Sequence, residues 1–205
     1  MKKQVILLSA VLALSASATL PVAADNSANN SYTNPIERTS LPDPTIIKAD
    51  DGYYYLYATE SIRNLPIYKS KDLVDWTYVG TAFTPETRPQ MVPKGGLWAP
   101  DINRIGNKYV LYYAKSQWGG EWSCGIGVAT ADQPQGPFTD HGKLFLSNEI
   151  GVQNSIDPFY IDDNGHKYLF WGSFRGIYGI ELIFADGQFS LKPGSFAFLR
   201  VSRPA

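Results

Sequence analysis

The chain has 205 residues with 18 basic and 19 acidic side chains, so its formal net charge is −1. This balance excludes an electrostatic nucleic-acid binder, which needs a basic surface to replace the counterions of the phosphates. The single cysteine, Cys124, excludes an intramolecular disulfide. After the N-terminal segment, no stretch reaches the roughly 18 apolar residues of a membrane-spanning helix.

The N-terminal segment has the pattern of a secretory signal peptide. Lys2 and Lys3 precede an apolar run over residues 5–18, and Val22-Ala23-Ala24 then form a small-residue cleavage pattern. We therefore predict a signal peptide over residues 1–24, a polar linker over 25–35 and one folded domain over 36–205. The mature protein is expected in the periplasm or secreted into the medium, with no membrane attachment after cleavage.

The rest of the chain predicts short strands. Its 13 Tyr, 10 Phe and 5 Trp fall in segments separated by Gly, Pro and Asn, which is typical of strands and turns. No stretch shows a sustained helical period. In chain order, the predicted strands are 43–47, 53–58, 66–70 and 76–80, then 100–102, 109–114, 125–130 and 138–145, then 157–161, 168–171 and 176–182.

These strands form three repeats. Asp43, Asp101 and Asp157 occupy the same place in each repeat, and successive aspartates are 58 and 56 residues apart. Repeats of four antiparallel strands indicate the blades of a β-propeller, whereas the composition alone would also fit a β-sandwich. Since the innermost strands of a propeller line its channel, the three carboxylates are expected to converge at one end, where repulsion separates an acid from a base.

The motifs around these aspartates resemble glycoside hydrolase family 43, whose members are five-bladed β-propellers that act on arabinan and xylan. The set is most similar to endo-acting 1,5-α-L-arabinanases, and the resemblance covers roughly residues 36–194. It implies an all-β, five-bladed propeller, here incomplete after about three blades, and inverting hydrolysis of α-1,5-L-arabinofuranosidic bonds. The matching stretches are Leu41–Pro44, Ser70–Trp76, Leu97–Asp101, Asn154–Phe159 and Gly172–Phe174.

The resemblance also implies catalytic roles. Asp43 matches the general base, which takes a proton from the attacking water, and Asp157 matches the residue that modulates the pKa of the acid. Inversion requires the acid and the base to lie roughly 6.5–9.5 Å apart. The general acid of the family is a Glu of the fourth blade, which is expected to be absent, so this polypeptide alone is expected to hydrolyse little or nothing. The glutamates that fail to match are Glu37, Glu60, Glu86, Glu121, Glu149 and Glu181.

Substrate contacts are predicted around the same aspartates, because sugar sites combine aromatic platforms with short polar side chains. Trp98 is expected either to stack on a sugar or to fill the core between blades. The expected ligand is arabinan or an arabino- or xylo-oligosaccharide, bound by a monomer. We predict no cofactor and no protein-ligated metal, since His141 and His166 lie too far apart for a zinc motif. The predicted contacts are Asp43, Trp98, Gly119, Asn154, Ser155, Ile156, Asp157, Ser173, Phe174 and Arg175.

Three other functions remain open from the sequence. The chain could be a non-catalytic carbohydrate-binding propeller fragment that keeps Asp43, Trp98 and Asn154 for recognition. It could instead be a β-xylosidase or an α-L-arabinofuranosidase of the same family. A propeller of the fructan-hydrolase kind fits less well, because those proteins carry Asn before the first Asp-Pro and Asn-Gly after it. Here Pro42 precedes that pair and Thr45 follows it.

Overall fold

The computed structural model describes residues 32–34, 39–185 and 188–199. The predicted signal peptide and most of the predicted linker lie outside these residues. Within them, no helix has the length and apolar character needed to cross a bilayer. The regular secondary structure of the described residues consists of strands apart from one helical turn, which confirms the predicted all-β class.

Among the described residues, three antiparallel sheets follow one another along the chain, and successive strands are neighbours except for the last two strands of the third sheet. A single helical turn, Ser147–Ile150 (α1), joins the second sheet to the third, and the strands Gln188–Leu191 (β12) and Ala197–Leu199 (β13) both pair with Gly176–Ala185 (β11). The helix α1 and the strands β12 and β13 were not among the predicted elements. The bounds are β1 Thr45–Lys48, β2 Tyr54–Tyr57, β3 Pro66–Ser70, β4 Thr77–Thr81, β5 Gly96–Ile105, β6 Lys108–Ser116, β7 Gly125–Ala131, β8 Thr139–Leu146, α1 Ser147–Ile150, β9 Phe159–Asp163, β10 His166–Ser173, β11 Gly176–Ala185, β12 Gln188–Leu191 and β13 Ala197–Leu199.

The sheets stack face to face, and the second is buried on both sides. From Tyr109 to Ser116 every residue of β6 is buried, because alternate side chains point to different neighbouring sheets. Tyr113 faces the first sheet, where its ring meets Phe83 at 5.7 Å. Tyr112 faces the third sheet, where it stacks on Tyr160 at 5.6 Å. Each interface is therefore a continuous aromatic core.

The inner strands β1, β5 and β9 lie side by side and are joined by hydrogen bonds. Ile102 N donates to Thr45 Oγ1 at 3.4 Å, which links β5 to β1. Tyr160 N donates to Asp101 Oδ2 at 2.7 Å, which links β5 to β9. Stacked sheets of four strands, or of four with one added strand as in the third, whose inner strands are adjacent are blades of a β-propeller rather than the two sheets of a sandwich. The predicted fold class is thus confirmed.

Candidate active site

A cavity of about 740 Å³ opens at one end of the inner strands. The loops that precede β1 and β9 meet there with the carboxyl ends of β2, β6 and β10 and with the first residues of β5. Three parts of the chain that are far apart in sequence therefore build one site. Its lining consists of Pro42, Asp43, Thr59, Glu60, Trp98, Ser116, Gln117, Trp118, Gly119, Gly120, Glu121, Asn154, Ile156, Asp157, Ser173 and Phe174.

Asp43 is held by a short chain of hydrogen bonds. Thr59 Oγ1 donates to Asp43 Oδ2 at 2.7 Å and accepts a hydrogen bond from Ala99 N, also at 2.7 Å. Because the amide proton of Ala99 points at Oγ1, the hydroxyl proton of Thr59 is directed to the carboxylate. One oxygen of Asp43 is fixed in this way, and the side chain remains exposed to solvent.

Asp157 shares the cavity with Asp43 and is electrostatically coupled to it. Partial burial, and after it the negative charge of Asp43, raise the pKa of Asp157 to about 6. The carboxyl group of Asp157 is thus half protonated near pH 6 and mostly charged at pH 7, and the residue keeps contact with solvent. A pair of acidic groups in which one titrates well above its ordinary range is the arrangement that separates acid from base roles.

The backbone around these residues is unusual. Asp43, Asn154 and Asp157 adopt left-handed conformations, with φ values of 51°, 57° and 57°. Asn and Asp tolerate this region better than other residues with a Cβ atom, because their short polar side chains bond locally. Gly172 N donates to Ile156 O at 2.8 Å and so ties the loop before β9 to β10. Strained backbone of this kind is concentrated at functional sites.

The wall below Trp98 contains a buried ion pair. Arg88 donates to Glu60 through both terminal guanidinium nitrogens, Nη1 and Nη2, at 2.6 Å, and the two side chains are 5% and 11% exposed. Burial would raise the pKa of Glu60, but Arg88 and the N–H groups of Asn64 and Leu97 lower it below its ordinary value. Lys115 lies nearby and is 2% exposed. Its burial, together with the charge of Arg88, lowers the pKa of Lys115 to about 8.

Exposed aromatic side chains surround the mouth of the cavity. Trp118 is 94% exposed, and its ring lies 5.6 Å from that of Trp98. Phe174 is 73% exposed. The guanidinium of Arg175 lies over the Phe174 ring at 5.0 Å and pairs with Glu121 at 3.2 Å. Large apolar rings left in water at a cavity mouth are typical of a surface that binds a ligand with apolar faces.

The structure brings most of the predicted site residues together. Ser155 is fully buried: its Oγ donates to Val152 O, and its N–H donates to Ser147 Oγ. Arg175 stands beside the cavity rather than in its lining, and the substrate contacts of both residues remain predictions. Asp43, Trp98, Gly119, Asn154, Ile156, Asp157, Ser173 and Phe174 all line the cavity.

The prediction that all three repeat aspartates converge at one end of the channel was wrong for Asp101. A β-bulge between Trp98 and Asp101 lengthens the second inner strand, which begins at Gly96. Asp101 consequently lies within β5, whereas Asp43 and Asp157 precede their strands. Its carboxylate accepts hydrogen bonds from Tyr160 N and Asn103 Nδ2 and serves to join the blades.

Thr59, Glu60 and Glu121 are site residues that the sequence reasoning missed. Thr59 and Glu60 follow shortly after β2, at the same strand end as Ser116, the last residue of β6, and Ser173, the last residue of β10. The repeat could therefore have indicated their position, although not their partners. No group of three or more His, Cys, Asp or Glu within the described ranges is placed to hold a metal ion.

The fold and the site together define a class of protein. Coupled carboxylates in an aromatic-walled cavity at one end of propeller blades are the arrangement of a glycoside hydrolase. The sequence profile of glycosyl hydrolases family 43 matches residues 32–192. The chain therefore belongs to this family, as its motifs indicated.

Several curated proteins are similar in sequence to this chain. The extracellular endo-α-(1→5)-L-arabinanase 1 of Bacillus subtilis is 35% identical over 172 residues, which are 80% of this chain and 52% of the relative. The probable arabinan endo-1,5-α-L-arabinosidase A of Aspergillus flavus is 31% identical over 137 residues, 66% of this chain and 42% of the relative. The chain thus spans about half the length of the curated relatives it matches.

Solved structures show the same relationship. The structure of a Cellvibrio cellulosa α-L-arabinanase complexed with arabinohexaose has a TM-score of 0.68 and 27% identity, covering 82% of this chain and 55% of that chain. The native arabinanase of Bacillus subtilis has a TM-score of 0.63 and 33% identity, covering 72% of this chain and 53% of that chain. The three sheets accordingly correspond to blades of the five-bladed propeller that the motifs implied.

Proposed function

We propose that the chain provides two catalytic carboxyl groups, the general base and the pKa modulator, of an arabinan-degrading glycosidase site. This site cleaves α-1,5-L-arabinofuranosidic bonds with inversion. Asp43 is the general base, and Asp157 modulates the pKa of the acid. The observation that carries the proposal is the electrostatic coupling of Asp43 and Asp157 inside one aromatic-walled cavity. The similarity to arabinanases from Bacillus subtilis and Cellvibrio cellulosa supports this choice of substrate.

The geometry around Asp43 fits a general base. Thr59 holds Oδ2, so Oδ1 is left to accept a proton from a water molecule in the cavity. Because Thr59 donates to the carboxylate, it also fixes the position of the base in the cavity. Asp157 offers the complementary property, a carboxyl group that gains a proton near pH 6.

Neither glutamate in the cavity lining fits a general acid. Glu60 is locked by Arg88, and its lowered pKa keeps it charged at the pH at which an acid must be protonated. Glu121 pairs with Arg175 at 3.2 Å. Loss of a general acid removes about 10²–10⁴-fold of the rate. We therefore expect the 205-residue chain on its own to bind the polysaccharide and to release little product.

Two features of the cavity support recognition of a sugar. Asn154 is 7% exposed, and its side-chain Nδ2 has no hydrogen-bond partner among the described residues, so the buried amide offers a donor to an incoming hydroxyl. Trp98 and Trp118 present their rings beside it. An apolar platform beside an unpaired donor suits a furanose ring, which has apolar faces and fixed hydroxyl groups.

The proposal can be tested with linear, debranched arabinan. Affinity electrophoresis measures binding, and chromatography of released arabino-oligosaccharides measures hydrolysis. We expect retention by arabinan, weaker retention by xylan, and a weakened interaction with arabinan in Trp98→Ala. Absence of any interaction with arabinan would refute the proposed substrate, and hydrolysis at ordinary enzyme rates would refute the assignment of Glu60 and Glu121.

A carbohydrate-binding role without catalysis is the second candidate. The ion pairs of Glu60 and Glu121 favour it, because they leave neither glutamate of the described lining free to act as the general acid. Binding without cleavage, unchanged in Asp43→Asn, would identify this role. Binding accompanied by slow cleavage that Asp43→Asn abolishes would identify the hydrolase.

We also propose export of the protein. The Bacillus subtilis relative is an extracellular arabinanase, and residues 1–24 of this chain have the composition of a signal peptide. N-terminal sequencing of the protein recovered from the medium or the periplasm should begin at Asp25. A start at Met1 in the recovered protein would refute processing at this position.

A further inference from the structure

A second groove, of about 460 Å³, lies next to the catalytic cavity. Four residues line both spaces, namely Gln117, Gly119, Gly120 and Glu121. The loop of residues 117–123, between β6 and β7, therefore separates two adjacent hollows. The remaining lining of the second groove consists of Trp122, Ser123, Asn148 and Gln153.

The loop that carries the groove is fixed by backbone hydrogen bonds. Gly120 O accepts from Ser123 N at 2.9 Å and from Cys124 N at 3.0 Å. Trp122 O accepts from Asn148 N at 3.1 Å, and Glu121 O accepts from Asn154 N at 2.7 Å. The groove is thus formed before any ligand binds, so little ordering of the chain opposes binding.

The chemistry of the groove suits an uncharged, hydroxyl-rich ligand. Trp122 is 50% exposed, so half of a large aromatic surface faces water in the groove. The amide side chains of Gln117, Asn148 and Gln153 stand around it, and each can both donate to and accept from hydroxyl groups. Of the described residues that line the groove, Glu121 alone is ionisable, and it pairs with Arg175 at 3.2 Å. An aromatic platform with neutral amides recognises sugars rather than anions.

We propose that this groove is a distal binding site for the same arabinan chain, occupied by sugar units that extend past the catalytic cavity across the loop of residues 117–123. The proposal rests on the proposed function, because it assigns a continuation of that substrate. Short oligosaccharides fill the catalytic cavity alone, whereas longer ones also reach Trp122. Only the affinity for the longer ones should therefore depend on the second groove.

The test is the dependence of affinity on oligosaccharide length. The full chain and its Trp122→Ala variant are titrated calorimetrically with arabinotriose and with arabinohexaose. Trp122→Ala is expected to weaken arabinohexaose binding about tenfold, the loss of one aromatic stacking contact, and to leave arabinotriose binding unchanged. Trp98→Ala is expected to weaken binding of both sugars.

Two further variants complete the design. Gln153→Ala removes one amide without touching the tryptophan and is expected to weaken arabinohexaose binding about threefold. Tyr78→Ala is the matched control, because Tyr78 is 47% exposed on β4 and lines neither space. The distal site is overturned if Trp122→Ala and Gln153→Ala bind both sugars like the unsubstituted chain, or weaken both equally. If the unsubstituted chain binds neither sugar, the proposed function fails and the distal site fails with it.

Discussion

Replacing Arg88 with alanine is expected to lower the free energy of unfolding by about 3 kcal/mol. The guanidinium makes two hydrogen bonds of 2.6 Å to Glu60, one of 2.9 Å to Asn64 Oδ1 and one of 3.1 Å to Gly95 O. Removing one member of a buried ion pair costs about 3–5 kcal/mol, since the other charge stays buried and uncompensated. Lys115 is a second buried cation that interacts with Glu60 and still compensates part of its charge in the variant. We therefore expect a loss at the lower end of this range.

The assay is urea denaturation of the full chain at pH 7, followed by tryptophan fluorescence. Arg104→Ala is the control, because Arg104 is 35% exposed and its partner Asp50 is 84% exposed. Exposed pairs contribute about 0–1 kcal/mol, so this variant should remain close to the parent protein. A loss in Arg88→Ala as small as that in Arg104→Ala would refute the structural role of the buried pair.

A double variant separates the pair from the packing around it. Glu60→Gln combined with Arg88→Met removes both charges, and we expect it to be more stable than Arg88→Ala alone. In Arg88→Ala the affinity for arabinan should also fall, because Glu60 holds Leu97 N at 3.0 Å, next to Trp98. Unchanged affinity would show that the wall of the cavity does not depend on this ion pair.

Three further predictions concern the carboxylate pair and one glycine. Because folding raises the pKa of Asp157, its contribution to stability is present below about pH 4 and is lost as the pH rises through about 6. Asp157→Asn should therefore reduce the change of the thermal unfolding midpoint with pH between about pH 4 and pH 6. In Asp43→Asn, the pKa of Asp157 should fall only partly, because burial remains; an unchanged ¹³C NMR titration would contradict the coupling. Gly172→Ala should lower the free energy of unfolding, measured by urea denaturation, by about 2 kcal/mol or more, since the new Cβ would lie 2.1 Å from Gly176 O. Gly165→Ala is the control and should cost less, because nothing lies within 4 Å of its Cβ position. Equal losses in the two variants would contradict the close approach at Gly172.

Much of the architecture could be predicted, because residues at the same place in each sequence repeat occupy equivalent positions in the blades. Asp43 and Asp157 stand before equivalent strands, so their meeting in one cavity follows from stacking the repeats. The aromatic strands were located to within a few residues, since β6 and its neighbours alternate between two buried faces. The bulge after Trp98 has no such signature, and it moved Asp101 out of register with the other two aspartates.

The remaining site residues depend on partners distant in sequence. Thr59 matters because it links Asp43 to Ala99 N, 40 residues further on. Glu60 is fixed by Arg88, 28 residues away, and nothing local indicates that pairing. Ser155 is buried because its N–H meets Ser147 Oγ, at the start of a helix of one turn, which is too short to produce a periodic pattern.

The left-handed backbone of Asp43 and Asp157 sets a limit on how far this scaffold can be stabilised. Each such residue costs on the order of 1 kcal/mol compared with a relaxed backbone. Glycine at either position would remove that cost, yet it would delete the carboxylate that the site depends on. Directed evolution for heat resistance alone should therefore accumulate glycine at residues 43 and 157, whereas selection on arabinan should restore aspartate there.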